Sequence, residues 1–567
     1  MASSEKSAKI NAIELGSRSG TSDEVSDGLG SEQSSIGENK LTLGFVMTMI
    51  GLSLALVVAE LTPLFTATTF TIIANDLHAT KNMVWITVSA YIAEGAMVPF
   101  VGSLSDLFGR RKILLFSLVV KMLACIIMAS SPSLAPFLVG CVLSGFSIGI
   151  QAMTVISGVS ELVPAARRGA MLGYIVMGFI PFGPAALYGQ LIAQHNWRYI
   201  FLLIGILALL SFICLAIWYR PPPRTATIGL SRREMLRRID YGGAFFSSVG
   251  LTLAIIGINW GGIDYPWKSA QVICMLTFGF LFLIMFGIYE KYFTKWPMFS
   301  MRVAKNKRML AACCIICFAS GVNYMPVTTF WGIQVYAVYG ADWHQAGIWV
   351  MPIGFCVFGG CVIGAMLLTR FKRHILWVIL AFCAMQTIGS ATASRFDYTN
   401  VNTIWAPLII ALFGVGGVSL PNQVIFTVIA PDDLIGSSVA IAVVLRVLGQ
   451  VVGKSVFFNI FSERLKADGP AIVGIPLVKA GFTSPQRMSM LIEAYMSGPI
   501  SQSLHLFPEL HSPATLAMVS NAVHQLYGKV LAHIYLMSLP WGLIACVSCL
   551  GLYGIGEYMD NHVAVHL

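Results

Sequence analysis

Charge is the scarcest ingredient of this chain: only 11% of its 567 residues are Asp, Glu, Lys or Arg, against about 25% in a soluble domain. With 56% hydrophobic residues and a mean hydropathy of +0.77, most of its surface must be solvated by lipid. Cysteine is missing from every segment between the apolar runs; all twelve lie inside them, which excludes a disulfide framework. Cys313, Cys314 and Cys317 stand close together, but in an apolar run, where small packing residues are expected rather than metal ligands. No Asn-x-Ser/Thr sequon occurs, so N-glycosylation is not expected. Residues 1–42 lack any apolar stretch and are rich in Ser, Gly and acids, so they read as a disordered cytosolic tail and neither a signal peptide nor a core element. A phosphate-binding loop is lacking too. "GQVVGKS" (449–455) has three residues between its glycines where the loop needs four, and it sits inside one long apolar run rather than between a strand and a helix.

What is present is a succession of fourteen apolar runs, each long enough to cross a bilayer as a helix. The expected fold is therefore all-α and integral to the membrane, with fourteen transmembrane helices. The loops after spans 2, 4, 6, 8 and 10 carry twenty Lys/Arg, whereas the short loops on the other side carry four, Lys81, Arg198, Lys268 and Arg395. Basic loops stay on the cytosolic side, which puts both termini inside. The same asymmetry explains the net charge of +10 without a nucleic-acid partner. The Pro-rich loop 219–242 separates a six-helix bundle, 43–218, from two linker helices, 243–290. A basic cytosolic loop, 291–308, then precedes a second six-helix bundle, 309–556, and a short tail, 557–567. Two six-helix halves around a midplane site are a common plan of secondary transporters. The external loop 461–530 contains two Ser-Pro starts, at Ser484 and Ser512, each running to a glycine, and these predict two surface helices.

The most specific stretch is "GSLSDLFGRRK" (102–112). It closely resembles the loop signature of the major facilitator superfamily, with Gly102, Asp106, Gly109, Arg110 and Arg111 in place. Glycines there permit close helix approach and a tight turn, and Asp106 has the chemistry to pair with a cation and to sit at a helix N-terminus. That combination suits a cytosolic gate. "VWITVSAYIAEGAMVPFVGSLSDLFGRR", "NWRYIF", "IDYGG", "INWGGIDYPWKS" and "LRVLGQVVG" are similar to fourteen-span drug:proton antiporters, and the order of "YRPPP", "IDYGG" and "WGGIDYPW" resembles the fungal trichothecene-efflux-pump-like group. The resemblance implies two rocking bundles plus two extra central helices, and a proton-driven exporter of lipophilic natural products or drugs.

In span 5, "GFIPFGPAALYG" resembles the antiporter signature of exporters, with Gly178, Gly183, Pro184 and Gly189; the terminal Gly-Gly of that pattern is Leu187-Tyr188 here. A buried arginine expected in span 4 is replaced by Cys141, and Thr62 stands where an acidic residue is expected in span 1. Proton coupling must therefore use other groups. Ionisable residues inside a membrane are functional candidates by default. At about 1.5 Å per residue, Glu60, Glu94, Lys121 and Arg446 fall near mid-membrane, with Lys454 farther out. Glu60 or Glu94 is expected to carry the proton, and the bland alternative is a static Glu–Lys pair. Asn323, Tyr324, Trp331, Gln334, Asn422 and Gln423 are candidates to line a substrate cavity or to glue helices together.

The expected function is proton antiport of a small lipophilic substrate by a monomer in the plasma membrane, or else a vacuolar or vesicle membrane. No nucleotide, metal or other cofactor is called for. The alternatives are a siderophore-iron:proton symporter and a receptor that senses a ligand without moving it. An enzyme is not expected, because no nucleophile–base constellation stands out.

Overall fold

The computed structural model describes residues 43–79, 84–221, 231–262, 265–299, 306–431, 434–482, 484–497, 500, 506–510 and 512–559. Lys81, residues 222–230 of the Pro-rich loop and the terminal residues 1–42 and 560–567 lie outside them. The chain divides into two units, Met1–Met47 and Thr48–Leu567. Of the first, Leu43–Met47 is described and is helical; all that follows concerns the second.

Among the described residues, fourteen helical spans are long and apolar enough to cross a bilayer. They are α1 (Leu43–Phe70), α2 (Trp85–Phe108), α3 (Arg110–Ser130), α4 (Leu134–Leu162), α5 (Ala165–Asn196), α6 (Arg198–Trp218) and α7 (Tyr241–Trp260). After them come α8 (Ala270–Tyr292), α9 (Lys307–Ala337), α10 (His344–Arg370), α11 (Lys372–Ala393), α12 (Trp405–Ile429), α13 (Ile435–Ile472) and α14 (Pro513–Leu552). Among the described residues the sole β feature is one isolated bridge, Gly261 to Tyr265. Helix is the solution a bilayer imposes, because every backbone N–H and C=O must be satisfied within the chain.

Burial sorts the spans. The most apolar windows of α2, α4 and α12 are 72%, 78% and 78% buried, whereas that of α8 is 11% buried, so α8 lies outermost. It leans on α7, where Gly250 meets the Leu283 side chain and Gly279 meets the Ala254 backbone. Lipid offers helices no hydrophobic drive to associate, so close packing of small residues does the work. Where α10 packs on α12, Gly416 meets the Val357 carbonyl and Gly360 the Phe413 carbonyl, so the two backbones come together. Two of the spans are broken at prolines near their middle. In α5, helices Arg168–Val176 and Ala185–Asn196 flank a 3₁₀ segment, Met177–Phe182, held by Pro181 and Pro184. In α9, Pro326 opens a π turn, Pro326–Phe330, the usual response when proline removes a rung of the helical ladder.

The segment before the last span differs from the expectation. A helix does open after Ser484, at Pro485–Ser497, and packs by Leu491 and Tyr495 into a core shared with Phe330 of α9 and Leu526 of α14. The second expected surface helix is not separate. Pro513–Met537 runs through Gly528 without a break, because Gly528 keeps helical geometry and lies against the Tyr398 side chain. Likewise α13 continues as helix to Ile472, well past the position where a loop was expected.

Candidate functional site

The loop signature forms a buried ionic cluster at one end of the bundle. Gly109, at φ +85°, takes a conformation that favours glycine and turns the chain from α2 into α3. The turn returns the Arg110 guanidinium over the last residues of α2. Arg110 is 2% exposed. It donates to Asp106 Oδ1 from Nη2 at 2.6 Å, to Ser105 Oγ from Nη1 at 2.6 Å, and to Glu161 Oε1 from Nε at 3.1 Å and Nη2 at 2.6 Å. Asp106 then reaches α13, where Ser437 Oγ donates to its Oδ2 at 3.3 Å. That contact puts a carboxylate at the N-terminus of a long helix, where backbone N–H groups lack intrahelical partners and the dipole favours an anion. Gly102 lies against Ala440 Cβ and the Gly436 backbone, the close approach expected of it. Arg111 is elsewhere, donating to the Ala216 carbonyl of α6 at 2.6 Å.

Glu161 and Arg168 were not singled out in the sequence. Glu161 completes the cluster; the available signal was an acid at the end of α4, just before the basic "AARR". Arg168, 3% exposed, donates to the Thr427 carbonyl of α12 at 2.6 Å. Beside it the Ala170 N–H donates to Thr369 Oγ1 of α10 at 2.8 Å. This second clasp ties the start of α5 to α12 and α10, as the first ties α2 to α13.

Farther along the bundle, the structure brings together the four ionisable residues expected near mid-membrane. Arg446 Nη2 faces Glu60 Oε1 at 3.9 Å, with the two side chains 22% and 32% exposed. Glu94, 4% exposed, lies within electrostatic reach of Arg446, Glu60 and Lys121. Lys121 is fully buried and donates to Ser144 Oγ of α4 at 2.8 Å rather than forming a direct Glu–Lys pair. Lys454 stands apart from the four, two turns beyond Arg446 on α13. Tyr324 of α9 shares the neighbourhood of Glu60 and Arg446.

The other candidates divide by what their polar atoms do. Trp331 Nε1 donates to the Trp349 carbonyl at 2.9 Å, and Gln334 accepts from the Tyr535 hydroxyl at 2.8 Å; both side chains are fully buried. Asn422 donates to the Cys313 carbonyl at 3.1 Å, and Gln423 is buried beside it. Asn323 differs, because both atoms of its buried amide lack a hydrogen-bond partner. In α5, Gly178 lies against Ser53 of α1, Gly183 against Phe355 of α10, and Gly189 against Phe65 of α1. Pro184 caps the last helical segment of the span. "GQVVGKS" is part of α13, with Gly449 and Gly453 against the α9 backbone at Phe318 and Val322, a small-xxx-small face.

The chain was compared with known proteins. The family model described as the fungal trichothecene efflux pump matches residues 36–567. The trichothecene efflux pump TRI12 of Fusarium sporotrichioides is 24% identical over 87% of this chain and 83% of its own length. The MFS-type transporter ucsD of an Acremonium species is 29% identical over 70% of this chain and 67% of its own. Among solved structures, a double-tryptophan mutant of XylE aligns with a TM-score of 0.52 at 14% identity, covering 91% of this chain and 98% of that one. XylE is a major facilitator superfamily proton:xylose symporter, and the likeness at this identity concerns the fold. Fourteen apolar spans, the Asp106–Arg110–Glu161 clasp and a match over nearly the whole chain lead to one conclusion: the protein is an integral membrane transporter of the major facilitator fold and belongs to the fungal trichothecene efflux pump family.

Proposed function

We propose that this protein exports lipophilic small molecules, a fungal toxin, another secondary metabolite or a drug, by proton antiport and alternating access. One observation supports the coupling above all others: Glu60 and Arg446 face each other at 3.9 Å from α1 and α13. In this reading residues 43–218 and 309–556 are the two six-helix halves that rock, and 243–290 are accessory helices. Ionised Glu60 attracts Arg446 and draws α1 toward α13; a protonated Glu60 releases it. Glu94 is close enough to both for its charge to bias the same equilibrium. A proton loaded from outside thus changes the contact that substrate must also change.

The clasp Asp106–Arg110–Glu161 with Ser437, and the second at Arg168, form the cytosolic gate, closed here. Release requires the Ser437 and Thr427 contacts to part while the contacts within α2, α3 and α4 persist. The broken α5 and α9 supply places where a span bends. The positive loops put this end and both termini in the cytosol, and the transporter acts as a monomer in the plasma membrane.

The test is accumulation of labelled sesquiterpenoid toxins and azoles in drug-sensitive yeast expressing the protein, with and without a protonophore. Lower accumulation, abolished by the protonophore and by Glu60→Gln, is the expected result. Protonophore-sensitive uptake of a ferric siderophore, with no change in toxin accumulation, would reverse the direction assigned here.

A further inference from the structure

The mid-span charges do not balance. Three cations, Lys121, Arg446 and Lys454, stand against two carboxylates, Glu60 and Glu94. Arg446 has Glu60, and Lys121 has the Ser144 hydroxyl with both carboxylates in electrostatic reach. Among the described residues no hydrogen bond or ion pair is found for Lys454, and no ionised group acts on it.

The faces of α13 show where Lys454 lies. Gly449 and Gly453 press on α9 at Phe318 and Val322, and Val447 meets Gly95 of α2. Ser455 donates to the Ile258 carbonyl of α7 at 2.6 Å, and Asn459 donates to the Gly261 carbonyl at 3.0 Å. At about 100° per residue, Arg446, Gln450 and Lys454 occupy an arc of about 80° between the α9 and α2 contacts. The α7 contacts, Ser455 and Asn459, lie on the opposite side of the helix. All three side chains are half-buried and Arg446 faces Glu60 of α1, so they form a donor column about 12 Å long on the side of α13 that meets the other intramembrane charges. Asn323, with its unpartnered amide, adjoins Val322 on the neighbouring α9.

From this we infer that the central site takes an organic anion, a lipophilic molecule bearing one carboxylate or equally acidic oxygen, held between Lys454 and Arg446 along Gln450. An uncompensated charge inside a membrane is costly and marks a binding or transport path. One negative charge brought by the substrate makes the five groups electrically neutral when both carboxylates are ionised. The apolar body of the molecule then takes the remaining surface. The inference rests on the central cavity being the substrate site of the exporter.

The experiment measures binding of abietic acid and of its methyl ester to the purified full chain in lipid nanodiscs at pH 7.4. The two ligands differ in one charge and share the same apolar body. Wild type is expected to prefer the acid by about tenfold or more, the scale of a charge-assisted hydrogen bond. Lys454→Gln is expected to remove that preference by weakening the acid alone, and Lys454→Arg to retain it. Unchanged ester binding is the control that the variant is folded. Equal binding of acid and ester by wild type, or an undiminished preference for the acid in Lys454→Gln with ester binding intact, overturns the proposal. If neither binds while neutral toxins do, the acid class is wrong and the exporter reading survives; if the toxins also fail to bind, the central-site reading fails with it.

Discussion

Replacing Asp106 with Asn isolates the charge that joins α2 to α13. The substitution keeps the shape and removes the negative charge that accepts from Ser437 at 3.3 Å and from Arg110 at 2.6 Å. Arg110 is not stranded, because Glu161 still accepts two of its N–H groups. The loss is therefore smaller than the 3–5 kcal/mol typical when a buried charge loses its partner. What disappears is a charged hydrogen bond between α2 and α13 and an anion at the start of α13, together about 2 kcal/mol. That corresponds to roughly a 30-fold rise in the open population of this end. Hydrogen–deuterium exchange of the purified protein in nanodiscs reads it directly. The first N–H groups of α13 have no intrahelical acceptor, so their protection depends on contact with α2 and its carboxylate. Faster exchange confined to 435–441 and 102–108 is expected. Unchanged exchange there, whatever happens to transport, refutes the clasp argument.

Other expectations follow from the same geometry. Gly449→Ala places a Cβ against the Phe318 carbonyl and should lower stability by about 2 kcal/mol, seen as a lower unfolding midpoint in detergent; an unchanged midpoint means α9 and α13 slide apart freely. Arg168→Gln removes the charged bond to the Thr427 carbonyl and should raise exchange at the ends of α5 and α12 while leaving 435–441 protected, which separates the two clasps. Asp240, just before α7, is buried and accepts from the Gly243 N–H at 2.7 Å, and its burial pushes the carboxyl above the ordinary aspartate range. The charged form is thus disfavoured in the fold, so the stability it contributes declines as pH rises from the unfolded-state value through the raised one. Asp240→Asn keeps a capping oxygen and should flatten that decline in thermal melts taken upward in pH from the unfolded aspartate value; an identical pH profile would exclude the effect. Asp76 behaves oppositely, since the Trp197 indole and the Arg198 guanidinium hold its carboxyl low. Its exposed pair with Arg198 is worth at most about 1 kcal/mol, present above the unfolded aspartate value and lost in acid, and Asp76→Asn should erase that small acid-side slope.

Several features were readable directly. The count of spans came from apolar run length, the turn at Gly109 from the signature, and the Gly449/Gly453 face from spacing alone. The site was only half legible. Glu60, Glu94, Lys121 and Arg446 stood out because charge is rare in these spans, but nothing in the chain order pairs Glu60 with Arg446 across nearly four hundred residues. Glu161 escaped notice because an acid at a span end looks like ordinary loop charge, and Ser437 because a serine at a helix start looks like a cap. The extra surface helix was misread because a glycine near a helix end is usually a stop signal; here packing against Tyr398 makes Gly528 an ordinary helical residue.

Sequence by itself determined that the chain lives in a membrane, how many times it crosses, and which rare side chains carry charge inside. Those properties follow from solvation and helix geometry, which act on each span separately. Tertiary structure decided the partnerships: Arg110 with Glu161, Asp106 with the start of α13, Glu60 with Arg446, and Lys454 with none found among the described residues. Partnerships between helices depend on which faces meet, and that is set by the packing of small residues distant in the chain.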